Sequence, residues 1–130
     1  MSDYKNMSEK ELAAYIVQYV DRIESLVKDV SNFLNGDISL GKEKIQLRYK
    51  TLKKEIKADS HYVSLLRNQN NQNKIYTTFF ISSIAEASAF GFSSTINSKI
   101  DFKLYTSLAE ASYKLTKYYS YEKWKEIAEK

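Results

Sequence analysis

Two glutamates sit in the same hexapeptide, Glu86 in SIAEAS (83–88) and Glu110 in SLAEAS (107–112). A carboxylate repeated on two helices can supply an acid and a base to a hydrolase, clamp a metal, or mark small-residue packing. Spacing decides among these. A hairpin of the two helices turning near residue 95 leaves the carboxylates roughly 9 Å out of level at 1.5 Å per residue. Glu110 shares its helical stripe with Lys103, Lys114 and Lys117, and Glu110–Lys114 is an i,i+4 ion pair. Glu86 shares its stripe with Ile75, Phe79 and Phe90. A carboxyl among aromatics is pushed up in pKa unless a cation meets it. A preceding hairpin turning near residue 70 would bring it level with 52–58, beside Lys54 or Lys57. The repeat therefore reads as helix-packing vocabulary and Glu86 as a paired acid. The other reading makes Glu86 the polar anchor of a ligand or nucleotide pocket between the third and fourth helices.

Other chemistry is sparse. His61 is the single histidine and there is no cysteine, so the common zinc sets, thiolate nucleophiles and disulfides are all absent. Paired E-x-x-H motifs, H-E-x-x-H, glycine-rich phosphate loops and a G-x-S-x-G elbow are also missing. His61 reads as a helix-surface residue. These absences point to a non-enzymatic chain with no cofactor and no metal.

Two stretches could instead make a binding surface. The segment KEKIQLRYKTLKKEIK (42–57) holds seven basic and two acidic residues. Arg48, Lys50, Lys53, Lys54 and Lys57 could track phosphates by displacing counterions; otherwise they form a solvated helix face. The segment YKLTKYYSYEKWK (113–125) places Lys114, Lys117, Tyr121 and Trp124 on one face of an uninterrupted helix. Exposed Trp and Tyr among lysines suit a protein hot spot or stacked bases. Alternatively a break folds Trp124 onto the core. Burial of Trp124 is preferred, because a lone tryptophan is more often inside, with Tyr121, Lys117 and Lys114 left outside.

The elements that must carry these residues are helical. The 130-residue chain has ordinary globular proportions, 43% hydrophobic and 28% charged, with no proline and three glycines. So few breakers leave little material for hairpin turns. Ser8 and Glu11 form a capping box, with Met7 and Leu12 as its staple. Leu12, Ile16, Tyr19, Ile23, Leu26, Val30 and Phe33 follow 4-3 spacing, widened by Ala13, Val20, Val27 and Leu34, and Asn35-Gly36 ends the helix. A second helix over about 40–68 carries Ile45, Tyr49, Leu52, Ile56, Val63 and Leu66, with Asp59 on the stripe, before the polar connection NQNNQN (68–73). A third over about 73–90 is β-branched and aromatic, yet Ile75, Phe79, Phe80, Ile84 and Ala87 recur at helical intervals and Gly91 closes it. The fourth opens at Ser98 and Asp101 and runs through Ile100, Leu104, Leu108, Ala111, Leu115 and Tyr118, with a kink or short fifth helix from about Ser120. The expectation is an all-α domain over 1–130, a compact antiparallel bundle of four main helices plus a short C-terminal one.

Net charge is +4 and uneven, with 36–74 the basic section. No secretory pattern or long apolar run appears, so a cytoplasmic chain without membrane insertion is expected. The function expected is binding of a protein partner, as inhibitor, immunity, anti-defence or adaptor proteins do. A nucleic-acid accessory role through 42–57 and the C-terminal segment is the alternative, and ligand binding at Glu86 the third. Homo-oligomers are compatible with all three.

Overall fold

A computed structural model describes residues 8–67 and 75–130. Met7 of the expected staple, the 68–73 connection and the side chains of Leu66 and Ile75 lie outside the described residues. Five helices are present and no strand occurs among the described residues: α1 (Glu9–Leu34), α2 (Lys42–Arg67), α3 (Ile75–Gly91), α4 (Phe102–Leu115) and α5 (Tyr121–Ala128).

Helix α1 begins where its first orphan N–H groups find partners. Glu11 N donates to Ser8 Oγ at 3.2 Å, and Ser8 N donates to Glu11 Oε1 at 3.2 Å. Its stripe from Leu12 to Val30 is buried, whereas Phe33 is half-buried and Leu34 lies outside the core. The stripe thus loosens over the last turn. Gly36 (φ 97°) then reverses the chain in a conformation that an L side chain resists.

The next helix returns antiparallel. Arg22 meets Glu55 at 2.5 Å, Tyr19 donates to Asp59, and Arg48 pairs with Asp29, so numbers rise along α1 as they fall along α2. Asp59 interrupts the apolar stripe because it receives the buried Tyr19 hydroxyl. Burial, and then this carboxylate, push the Tyr19 phenol well above its ordinary pKa.

In α3 packing overrides strand-like composition: Phe80, Ile81, Ile84 and Ala87 are buried between α2 and α4. Gly91 is the last residue of α3, and its role is contact rather than capping. A Cβ there would lie 2.3 Å from Ala111 Cβ and 2.9 Å from Ser107 O. The glycine lets the two helices approach.

Between α3 and α4 the chain does not simply turn. Phe92 and Ile96 fold into the core, Phe92 stacks on Tyr49 at 5.5 Å, and Lys53 Nζ donates to Ile96 O at 2.6 Å. Helix α4 consequently starts later than expected. Asp101, not Ser98, is its N-cap, accepting from Leu104 N at 2.9 Å.

Helices α1 to α4 pack in chain order and α4 closes the ring against α1. Helix α1 has 26 residues and α4 only 14, about 39 and 21 Å. The remaining length of α1 is covered by α5. Thr116 Oγ1 turns back to Ser112 O at 3.0 Å, α4 ends, and Ser120 caps α5 through Lys123 N at 3.1 Å. Trp124 is then wholly buried, with Nε1 donating to Leu115 O at 3.2 Å. It satisfies one of the carbonyls that the end of α4 leaves open.

Candidate partner-binding surface

The break at 116–120 dismantles the face that an uninterrupted helix would have made. Trp124 is 0% exposed, and Tyr119 packs edge-on against it at 4.9 Å. Tyr121 donates to Asp21 at 2.8 Å, so it ties α5 to α1. Trp124 therefore offers nothing to a partner, and Tyr121 does not share a face with Lys114 and Lys117. Those two lysines remain on α4 and just beyond it.

Glu86 finds a cation, but not on α2. Lys117 Nζ lies 3.2 Å away and the Tyr118 hydroxyl donates at 2.5 Å, in place of the expected Lys54 or Lys57. The packed loop carries α4 further along α3 than a tight turn would, which brings 117–118 level with Glu86. Burial works to raise the Glu86 pKa, yet the hydrogen bonds from Tyr118 and Lys117 outweigh it and hold the carboxyl below its ordinary range. Phe79 stacks on Tyr118 at 5.2 Å and takes Tyr119 edge-on at 4.9 Å. Glu86 thus fastens the α4–α5 connection. Glu110 makes the expected pair with Lys114, at 3.6 Å.

Of the basic face on α2, two members already have partners. Arg48 is bound to Asp29 and Ser25, and Lys53 holds the Ile96 carbonyl. Lys50, Lys54 and Lys57 are exposed. His61 is exposed too, and no cluster of metal-ligating side chains occurs among the described residues.

A cleft of about 530 Å³ opens between α1, α4 and α5, and Glu86 does not line it. Asp21, Glu24 and Glu122 give it an acidic wall. Glu24 accepts from Ser112 at 2.5 Å and Asp21 from Tyr121, so two of these carboxylates serve the fold.

Leu34, Ile38, Leu40, Leu47 and Leu65 are exposed around α1 and α2, and, among the described residues, the exposed aromatic side chains lie on the outside of α4 and the end of α3. Phe102 is 71% exposed, Tyr113 58%, and Phe90, at the neighbouring end of α3, 55%. Lys114 Nζ sits 4.6 Å from the Phe90 ring centre and 5.6 Å from that of Tyr113, bridging the two rings. Phe102 and Tyr113 are three turns apart and share one azimuth, about 16 Å from end to end. Between them Thr106 and Ala109 are small and exposed. A second stripe, Phe102–Thr106–Ala109–Tyr113, ran beside the core line in the sequence and would have revealed this face.

This face combines exposed aromatic area with an adjoining lysine. No protein-family model matches the chain, and no curated protein or solved structure matches it significantly.

Proposed function

We propose that this chain is a non-enzymatic binding domain of the inhibitor or adaptor kind, acting through a protein partner on the outer face of α4 and the adjoining end of α3. The observation that carries this reading is the exposure of Phe90 and Tyr113 on either side of Lys114, with Phe102 exposed at the other end of α4. Exposed apolar groups gathered in one place mark interaction sites. The acids that first suggested chemistry are engaged within the fold: Glu86 by Lys117 and Tyr118, Glu110 by Lys114.

The test is affinity capture from host lysate after nuclease treatment, with wild type beside a Phe90→Ala/Tyr113→Ala variant. Both side chains are exposed, so their removal should move stability by no more than roughly 0.5 kcal/mol. Binding should weaken by about 2 kcal/mol or more. Equal recovery by both proteins would place the partner elsewhere.

A second reading has its own support in Lys50, Lys54 and Lys57, which stand exposed on α2 without an ion pair among the described residues. Three phosphate contacts would give a salt slope of about −2 to −3 in log–log form. Replacing the three lysines with glutamate should then abolish binding. Nucleic-acid binding indifferent to salt would remove this reading.

A further inference from the structure

We infer that the outer face of α4 is covered, in the isolated protein, by α4 of a second copy of this chain, paired antiparallel about a two-fold axis. The inference rests on the proposal that this face is a binding surface, and it names an occupant. Phe102, Thr106, Ala109 and Tyr113 follow 4-3-4 spacing, the seam of a two-stranded coiled coil. They point away from the buried line of Leu104, Leu108, Ala111 and Leu115.

The order of sizes along this seam is palindromic: large, small, small, large. When two such seams run antiparallel, Phe102 of one copy meets Tyr113 of the other, and Thr106 meets Ala109. Each ring then packs against a ring of the other copy, beyond the stack that Phe102 already makes on Tyr105 at 5.9 Å, and the small pair at the centre lets the helix axes approach. One pair of charges is arranged the same way, although Glu110 already meets Lys114 of its own chain at 3.6 Å. Lys103 and Glu110 flank the seam on the same side, and both are exposed. A two-fold axis sets Lys103 of each copy beside Glu110 of the other, giving two reciprocal ion pairs. An isologous contact demands such self-complementarity, whereas an unrelated partner would not require it. Lys114 bridges Phe90 and Tyr113 at the margin, so a different protein docking there would compete with the second copy for Tyr113.

The seam is only about 16 Å long. An interface of that length falls in the small, transient class, so exchange should be fast and the dissociation constant micromolar or weaker. The chain has no cysteine, which allows a register-specific test. Thr106→Cys and Ala109→Cys proteins are prepared separately, then oxidised alone and mixed. Antiparallel pairing predicts efficient cross-linking only in the mixture, because residue 106 faces 109 and a disulfide needs close Cα atoms. Cross-linking of Thr106→Cys with itself at equal yield would overturn the register.

Sedimentation equilibrium of the cysteine-free chain should show the mass rising towards twice the monomer as concentration increases. Lys103→Glu should abolish that rise, and adding Glu110→Lys should restore it. A mass that stays monomeric at millimolar concentration would overturn the second copy. If capture of another protein still fell with Phe90→Ala/Tyr113→Ala, the face would stand as a binding surface for that other protein. If capture were also unaffected, both readings would fall together.

Discussion

Two groups of aromatic residues close to one another in the chain meet opposite fates. Tyr119 and Trp124 turn inward, edge to face at 4.9 Å, and Trp124 is fully buried. Phe102 and Tyr113 stand outward on α4, 71% and 58% exposed. Composition does not separate them, since each group is aromatic and set among lysines. Geometry does. The break at 116–120 redirects the chain onto the uncovered length of α1, and whatever follows it must be apolar on its inner side. Helix α4 already has a complete core line, so its aromatics on the opposite side stay largely exposed, with Phe102 stacked only on Tyr105 of its own helix at 5.9 Å among the described residues. An aromatic residue with no place in the core and no cover is the better guide to a binding surface than the chain's only tryptophan.

The sharpest way to break this contrast is to remove the inward member. Trp124→Ala should cost about 3–5 kcal/mol through lost burial and an unfilled cavity. Leu115 O would also lose its Trp124 donor. Denaturant unfolding measures the loss; a change below about 1 kcal/mol would mean that Trp124 does not cap the core.

Gly91→Ala is the next largest effect, because the added methyl would meet Ala111 Cβ at 2.3 Å and the Ser107 carbonyl at 2.9 Å. Backbone on the far side cannot swing away as a long side chain would. A destabilisation of about 1–3 kcal/mol is expected in the same assay. A compensating Ala111→Gly should recover part of it.

The smallest effect concerns the link between the two groups, Glu86. Its carboxyl is held below the ordinary glutamate pKa in the fold, so the unfolded chain binds the proton more readily. Ionised Glu86 therefore contributes stability above its unfolded pKa, and that contribution is lost as pH falls through its folded value. Glu86→Gln should lower the unfolding midpoint slightly at neutral pH, and the gap from wild type should close in acid. A gap that widened as pH fell would reverse the assignment.

Much of the architecture was legible because it is local. The Ser8–Glu11 box, the Leu12–Val30 stripe, the stop at Gly36 and the new cap at Ser120 are each written within a few residues. The level of α3 against α4 was not. It depends on Phe92 and Ile96 leaving the loop for the core beside Tyr49 and Lys53, partners more than forty residues earlier. That shift moved Glu86 from Lys54 or Lys57 to Lys117 and Tyr118, and moved the α4 cap from Ser98 to Asp101. The four-residue tail face requires an uninterrupted helix through Thr116; a hydroxyl that bonds back to Ser112 and a ready cap at Ser120 instead let the chain turn, and Trp124 is buried as the preferred reading has it. The displayed pair Phe102 and Tyr113 was visible in principle. Helix α4 carries two stripes, the buried one leading to Leu115 and the exposed one from Phe102 to Tyr113.

Hydroxyl-radical footprinting, read residue by residue in dilute and in concentrated solution, compares both groups in one sample. Phe102 and Tyr113 should oxidise rapidly when the chain is dilute and become protected as it is concentrated. Trp124 should stay protected throughout, despite the high intrinsic reactivity of indole. Rapid oxidation of Trp124 in dilute solution, or a Tyr113 rate unchanged by concentration, would contradict a closed tail beside a self-covering α4 face.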